Sequence, residues 1–120
     1  MDRMEKVNNQ IRKEISIVIQ KELRDPRLEF VTITKADVSR DLKSARVSFS
    51  VLGNPGRVEE VGKILEKAKG LIRKYVGENI KMRYVPEFVF IHDRSLEYSA
   101  RVEAMLQEIN DEQQKNHRND

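Results

Sequence analysis

The chain contains neither cysteine nor tryptophan, which excludes disulfide bridges and thiolate metal centres and fits a reducing cytoplasm. It has two histidines, His92 and His117. One ends an apolar run and the other lies in a polar terminus, so no nucleophile, base and orienting group can be assembled around either. Asp25, Asp37, Asp41 and Asp93 lack the spacing of metal ligands. No apolar run approaches the roughly 20 residues that cross a bilayer. The first thirteen residues are charged throughout and lack the apolar stretch of a secretory signal. Aromatic residues make up only 6% of the chain. Phe30, Phe49, Phe88 and Phe90 occupy alternating strand positions, where a core role is expected in place of base stacking. Together these absences point away from an enzyme, a metalloprotein or a membrane protein. A small cytoplasmic protein without cofactors is expected.

What is present is charge. The 120 residues suffice for one domain, with 36% charged and 38% hydrophobic residues, so part of the chain must be solvated and not packed. The net charge of +3 is unevenly spread. Residues 63–84 hold seven basic groups against two acids, whereas residues 85–120 hold four against eight. Such asymmetry suits a surface that faces a polyanion, although a solvated helix face produces the same run.

Periodicity divides the chain. Met4, Val7, Ile11, Ile15, Val18 and Ile19 recur at three- and four-residue steps and predict a helix to about Leu23, stopped before Pro26. Phe30 to Val38 reads as a strand whose parity slips before Ala36, as at a bulge. A turn at Ser39-Arg40-Asp41-Leu42 leads into strict alternation through Ala45, Val47, Phe49 and Val51, making an antiparallel hairpin. Gly53-Asn54-Pro55-Gly56 breaks the strand. It lacks the Lys-Ser/Thr of a phosphate loop, and a plain turn is the expected reading. A helical stripe from Val58 to Val76 is predicted to kink at Gly70 into a helix pair, with Gly77 as its C-cap. A strand over Lys81–Ile91 carries Pro86 at a bulge or at its entry. Asp93 or Ser95 then caps a helix bearing Leu96, Val102, Met105, Leu106 and Ile109. Residues 111–120 contain no apolar side chain and are expected to be a disordered tail. Helices on one face of three strands make a two-layer α+β sandwich.

The junction Ala68-Lys69-Gly70 carries the chemical argument. A small residue, a cation and a glycine at a kink admit a sugar–phosphate backbone, and a second half-helix offers its N-terminal amides to phosphate. A simple bend with solvated lysines remains the alternative.

These residues resemble a known family. Asp25-Pro26-Arg27, Ser39-Arg40-Asp41-Leu42 with Ala45-Arg46-Val47, the run Ala68-Lys69-Gly70-Leu71-Ile72-Arg73, and Arg83-x-x-Pro86-Glu87-x-x-Phe90 with Asp93 are similar, in order and spacing, to bacterial ribosome-binding factor A. The resemblance covers residues 1–110. It implies a type II KH-like domain over those residues, in which an Ala-x-Gly kink replaces the usual Gly-x-x-Gly loop. It further implies a protein without catalytic activity that binds the free 30S subunit or its late precursors, and a monomer is expected. Such a factor assists 16S rRNA maturation, including 5′-end processing, and matters most for growth in the cold. On this chain the groove maps to Lys67, Ala68, Lys69, Gly70, Arg73 and Lys74, with Lys81 and Arg83 nearby. Arg40, Lys43 and Arg46 form a second contact strip. A protein-interaction or oligomerisation module using an amphipathic terminal helix is the rival, and it predicts association insensitive to salt.

Overall fold

The computed structural model describes residues 2–53 and 55–118; the side chains at 55, 96–100 and 114–118 lie outside that description. Helix α1 spans Arg3–Val18 and opens on Asp2, whose carboxylate accepts from the Glu5 amide at 2.9 Å. It passes into a π-helical turn, Ile19–Leu23, and ends where Arg24 adopts a left-handed conformation. Pro26 then starts a single 3-10 turn, as expected of a residue with a fixed φ and no amide to donate.

Strands β1 (Val31–Val38) and β2 (Ser44–Val51) pair antiparallel. Their register shifts between Ile33 and Lys35, so the parity slip in the sequence is a bulge at Thr34. The hairpin turn is closed by its own side chains. Asp41 accepts from the Ser39 hydroxyl at 2.6 Å and from the Lys43 amide at 3.0 Å, while Leu42 takes a positive φ of 62°. These bonds hold the Asp41 carboxyl below its ordinary range, the Ser39 hydroxyl contributing most. Strand β3 is shorter than expected, Glu87–His92, and lies parallel to β2 at the sheet edge, giving the order β1-β2-β3. Pro86 marks its entry and leaves the ladder intact.

Between β2 and β3 runs α2, Val58–Ile80. The expected helix pair is one continuous helix, and Gly70 sits inside it. A lone glycine there costs about 1 kcal/mol, which the burial of Ile72 and Val76 on the following turns outweighs. Consequently the amides after Gly70 belong to the helical ladder and are not open to phosphate. Gly77 is likewise interior. Lys81 is the left-handed cap, its amide bonding to the Gly77 carbonyl at 3.0 Å. A Cβ on Gly77 would meet Val85 Cγ2 at 2.8 Å, so this glycine is needed for close approach of the following loop.

α1 covers β1 and α2 covers β3, and the helices pack together over one face of the sheet. Their shared core holds Ile11, Ile15, Val18, Leu65, Ile72, Val76, Val47, Phe49 and Phe88, with no buried polar residue among the described ones. Asn8 ties the layers at one end by accepting from the Val38 amide at 2.9 Å. Phe49 and Phe88 occupy the core as expected, and Phe90 is packed against it. Phe30 is not: it precedes β1 in a turn and is 52% exposed.

Helix α3 spans Ser95–Arg118. It therefore runs through residues 111–118, where a disordered tail was expected, while 119 and 120 lie outside the described residues. Every described side chain from Arg101 to Gln113 is exposed, which leaves local bonds such as Gln107 to Asp111 at 3.3 Å to favour the helix. At about 1.5 Å per residue α3 extends about 36 Å, a large part of the molecule's 69 Å long dimension. No described helix is long and apolar enough to cross a membrane.

Candidate nucleic-acid interface

The outward face of α2 is a ridge of cations. Lys63, Lys67, Gly70 and Lys74 follow one another at steps of four, three and four residues, so they share one side of the helix, and all four are exposed. Among the described residues Lys67 and Lys74 have no ion-pair partner, whereas Lys63 pairs with Glu59 at 3.5 Å. No atom lies within 4 Å of a Cβ built on Gly70. Gly70 is thus a gap in the side-chain cover between lysines, where a ligand's backbone can come close to the helix.

The remaining residues proposed from the α2 run lie elsewhere. Ala68 is half-buried against the core. Lys69 turns to the flank and pairs with Glu66. Arg73 is engaged: Nε donates to the Pro86 carbonyl at 3.0 Å and Nη2 to the Val85 carbonyl at 2.8 Å. It staples the loop that precedes β3. In sequence Arg73 is indistinguishable from a phosphate ligand, because its partners are backbone groups twelve and thirteen residues away.

A second set of cations gathers where α2 ends. Lys81 and Arg83 are exposed, and the Arg83 guanidinium lies 5.5 Å from the ring centroid of Tyr84, itself 74% exposed. The hairpin tip joins this end, since the Glu87 amide donates to the Lys43 carbonyl at 2.9 Å. Arg40 and Lys43 on that tip are exposed. Arg46 is directed to the uncovered face of the sheet, opposite Asp37 in the β1–β2 register. The structure thus gathers Arg40, Lys43, Lys81 and Arg83 at one end, aligns Lys67, Gly70 and Lys74 along α2, and withdraws Ala68, Lys69 and Arg73.

Two cationic residues lie outside the groove and the strip mapped from the sequence. Arg27 and Arg57 line a shallow cleft of about 390 Å³ with Phe30, Val51, Leu52 and Gly53. Arg27 also borders a neighbouring cleft of about 440 Å³ beside Glu60, Lys63 and Lys67. The Asp25 carboxylate fixes Arg27, accepting from its amide at 2.9 Å and from Nη2 at 2.8 Å. These bonds hold the Asp25 carboxyl below its ordinary range and push the Arg27 guanidinium up. The Asp25-Pro26-Arg27 triplet, quoted above for the resemblance, also signals this fixed arginine, as a turn in which Asp caps its own backbone two residues on.

Asp93 is the most strongly perturbed acid. Hydrogen bonds from the Ser95 side chain, from the Thr34 hydroxyl at 2.6 Å and from the Ser95 amide at 2.9 Å lower its carboxyl to about 2. It joins the bulge of β1 to the start of α3, and its part is structural. His92 is half-buried with its ring 5.7 Å from that of Phe49. The side chains of Tyr98 and His117 lie outside the described residues. Among the described residues no group of His, Asp and Glu is arranged to hold a metal ion.

A model of the ribosome-binding factor A family matches residues 3–106. Ribosome-binding factor A of Staphylococcus carnosus is 42% identical over 107 residues, covering 89% of this chain and 93% of that protein. Its counterpart from Brevibacillus brevis is 41% identical over 113 residues, with 94% and 93% covered. Among solved structures, the crystal structure of ribosome-binding factor A from Thermus thermophilus superposes with a TM-score of 0.68 at 22% identity, covering 77% of this chain and 98% of that one. A homology model of the Thermus thermophilus factor, fitted into a cryo-EM map of a 30S complex, superposes with a TM-score of 0.62 at 23% identity, covering 72% and 91%. The α+β architecture, with its parallel β2–β3 pair spanned by α2, is KH-like.

Proposed function

As this chain belongs to the ribosome-binding factor A family, we propose that it is a ribosome assembly factor that binds the free 30S subunit, or a late precursor of it, through 16S rRNA. The Thermus thermophilus factor of the same fold is described in a 30S complex, and the family is one of ribosome-binding factors, not of enzymes. The observation that carries the RNA reading is the α2 ridge, Lys63, Lys67, Gly70 and Lys74, exposed on one side of a helix whose other side is core. Cations in a row at helical spacing meet phosphates along an RNA backbone, and such contacts position a protein by shape without reading bases. Arg40, Lys43, Lys81 and Arg83 extend the contact at the far end of α2.

The protein acts as a cytoplasmic monomer and performs no chemistry of its own. A ligand that prefers one arrangement of an RNA shifts the population by that difference in affinity alone. Favouring an immature arrangement near the ends of 16S rRNA assists processing of the 5′ end by nucleases, and completion of the subunit expels the factor. Misfolded RNA is harder to escape at low temperature, which places the greatest need in the cold. Residues 1–110 form the binding domain.

Sedimentation of a cell lysate through gradients at low and high salt tests this reading. Comigration with 30S particles that falls steeply as salt rises is expected, because each neutralised phosphate adds close to one unit to the log–log slope. One observation favours the rival: Val102, Met105, Leu106 and Ile109 form an exposed apolar stripe on α3. A partner docked there would produce association that salt leaves unchanged.

A further inference from the structure

We infer that the cleft between the 3-10 turn after α1 and the end of β2 is a seat for an unpaired nucleobase, with Phe30 as its stacking surface. The inference rests on the RNA-binding reading and adds to it a contact that the lysine ridge does not supply. Phe30 is 52% exposed and Leu52 is 75% exposed. The two are held side by side, since the Leu52 amide donates to the Phe30 carbonyl at 3.0 Å. Large apolar groups so placed are costly to leave in water, and a rim of polar groups around them marks a binding site.

The chemistry of that rim selects the occupant. Arg27 lines the same cleft as Phe30. Its guanidinium is clamped in plane by Asp25, with Nε 3.1 Å and Nη2 2.8 Å from the carboxylate. A fixed guanidinium plane beside an aromatic ring is what an unstacked base requires, because both surfaces stack on its π-face. The Asp25 carboxylate balances the charge of Arg27, so phosphate attraction falls to Arg57, which has no ion-pair partner among the described residues. The cleft volume of about 390 Å³ accommodates one nucleotide. Beyond Arg27 the second cleft leads past Lys63 to Lys67 on the α2 ridge. An RNA strand whose phosphates follow the ridge therefore reaches the Phe30 seat past Lys63 and Arg27, with Glu60 and the Lys63-paired Glu59 as the acids beside its path. An apolar peptide would fill the seat as well, but it would leave Arg57 and the lysines beside it unmatched.

The test is a titration of the uniformly ¹⁵N-labelled full-length protein with a single-stranded oligo(A) hexanucleotide, and with a blunt-ended RNA duplex that has no unpaired base. The hexanucleotide is expected to move the amides of Phe30, Leu52, Gly53 and Arg57 as well as those of the ridge, and the duplex only the ridge. Phe30→Ala, at a half-exposed position, is expected to keep a native spectrum and to weaken hexanucleotide binding about tenfold; Leu52→Ser, which removes the exposed apolar group beside Phe30, should weaken it in the same direction. If shifts are confined to Lys67, Gly70 and Lys74 and Phe30→Ala binds as wild type, the seat is refuted while RNA binding stands. If the hexanucleotide moves no amide and association with 30S particles is insensitive to salt, the RNA reading falls and the seat with it. Loss of salt-insensitive 30S association in Phe30→Ala, with RNA binding unchanged, would assign the cleft to an apolar protein segment and overturn the nucleobase.

Discussion

The two faces of α2 do different work, and even neighbouring cations are divided between them. On the inner face Val61, Leu65, Ile72 and Val76 are buried, and Arg73 on its margin is spent on the carbonyls of Val85 and Pro86. On the outer face Lys67 and Lys74 have no ion-pair partners among the described residues, and Gly70 leaves the helix bare between them. Lys74 follows Arg73 directly, yet the helical step of about 100° sends one to solvent and the other to the fold. Adjacent cations in a sequence are therefore no evidence of one shared site. What separates them is whether an orphan carbonyl lies within reach.

That division can be attacked from both sides. Ile72→Ala should be the most damaging change, because it empties part of a fully buried inner face; a loss of about 2–5 kcal/mol is expected in urea denaturation. Arg73→Ala comes next. It leaves two part-buried carbonyls unsatisfied, and a loss of about 1–3 kcal/mol is expected. If instead Arg73→Ala left stability unchanged and abolished RNA binding, Arg73 would belong to the outer face after all.

Asp93 extends the comparison to the other end of the sheet. Asp93→Ala should cost about 1 kcal/mol near neutral pH by removing the acceptor for Thr34 and Ser95. Its folded-state pKa of about 2 lies below the unfolded 3.8. Its contribution is therefore complete above about pH 5 and fades as pH falls through 4 toward 2. Urea midpoints of wild type and variant should converge over that window. A gap that persists at pH 2 would show that the carboxylate charge is not involved.

Gly70→Ala has the smallest expected effect on stability and the opposite sign. A methyl group there meets nothing and replaces a poor helix former, so a gain of up to about 1 kcal/mol is expected. RNA affinity should nevertheless fall severalfold, because the gap between the lysines closes. Unchanged affinity would mean that RNA does not approach the bare backbone.

Much of this architecture was legible in sequence where periodicity is strong. The slip of parity before Ala36 announced a bulge, which the structure puts at Thr34, and of the two places open to Pro86, a bulge or the strand entry, the structure takes the entry. Elsewhere one local signal had two physical meanings. Gly70 read as a break, but the packing of Ile72 and Val76 carries the helix through it. Gly77 read as a cap, whereas its missing side chain makes room for Val85 and the cap is Lys81. Phe30 sits one residue before a strand and looked like its first core position; the pairing begins at Val31 and leaves the ring outside. The ridge was partly visible, since Lys67 and Lys74 share a face by spacing alone. The withdrawal of Arg73 was not, because hydrogen bonds to distant backbone carbonyls leave no trace in residue type or spacing.

The most direct test of the central claim compares wild type with the double charge reversal Lys67→Glu/Lys74→Glu in 30S binding across a salt series. The variant should fold with wild-type stability, bind more weakly at low salt, and show a log–log salt slope shallower by about two units, one for each phosphate that is no longer neutralised. Equal affinity and equal slope for the two proteins would contradict the assignment of the outer face of α2 to RNA.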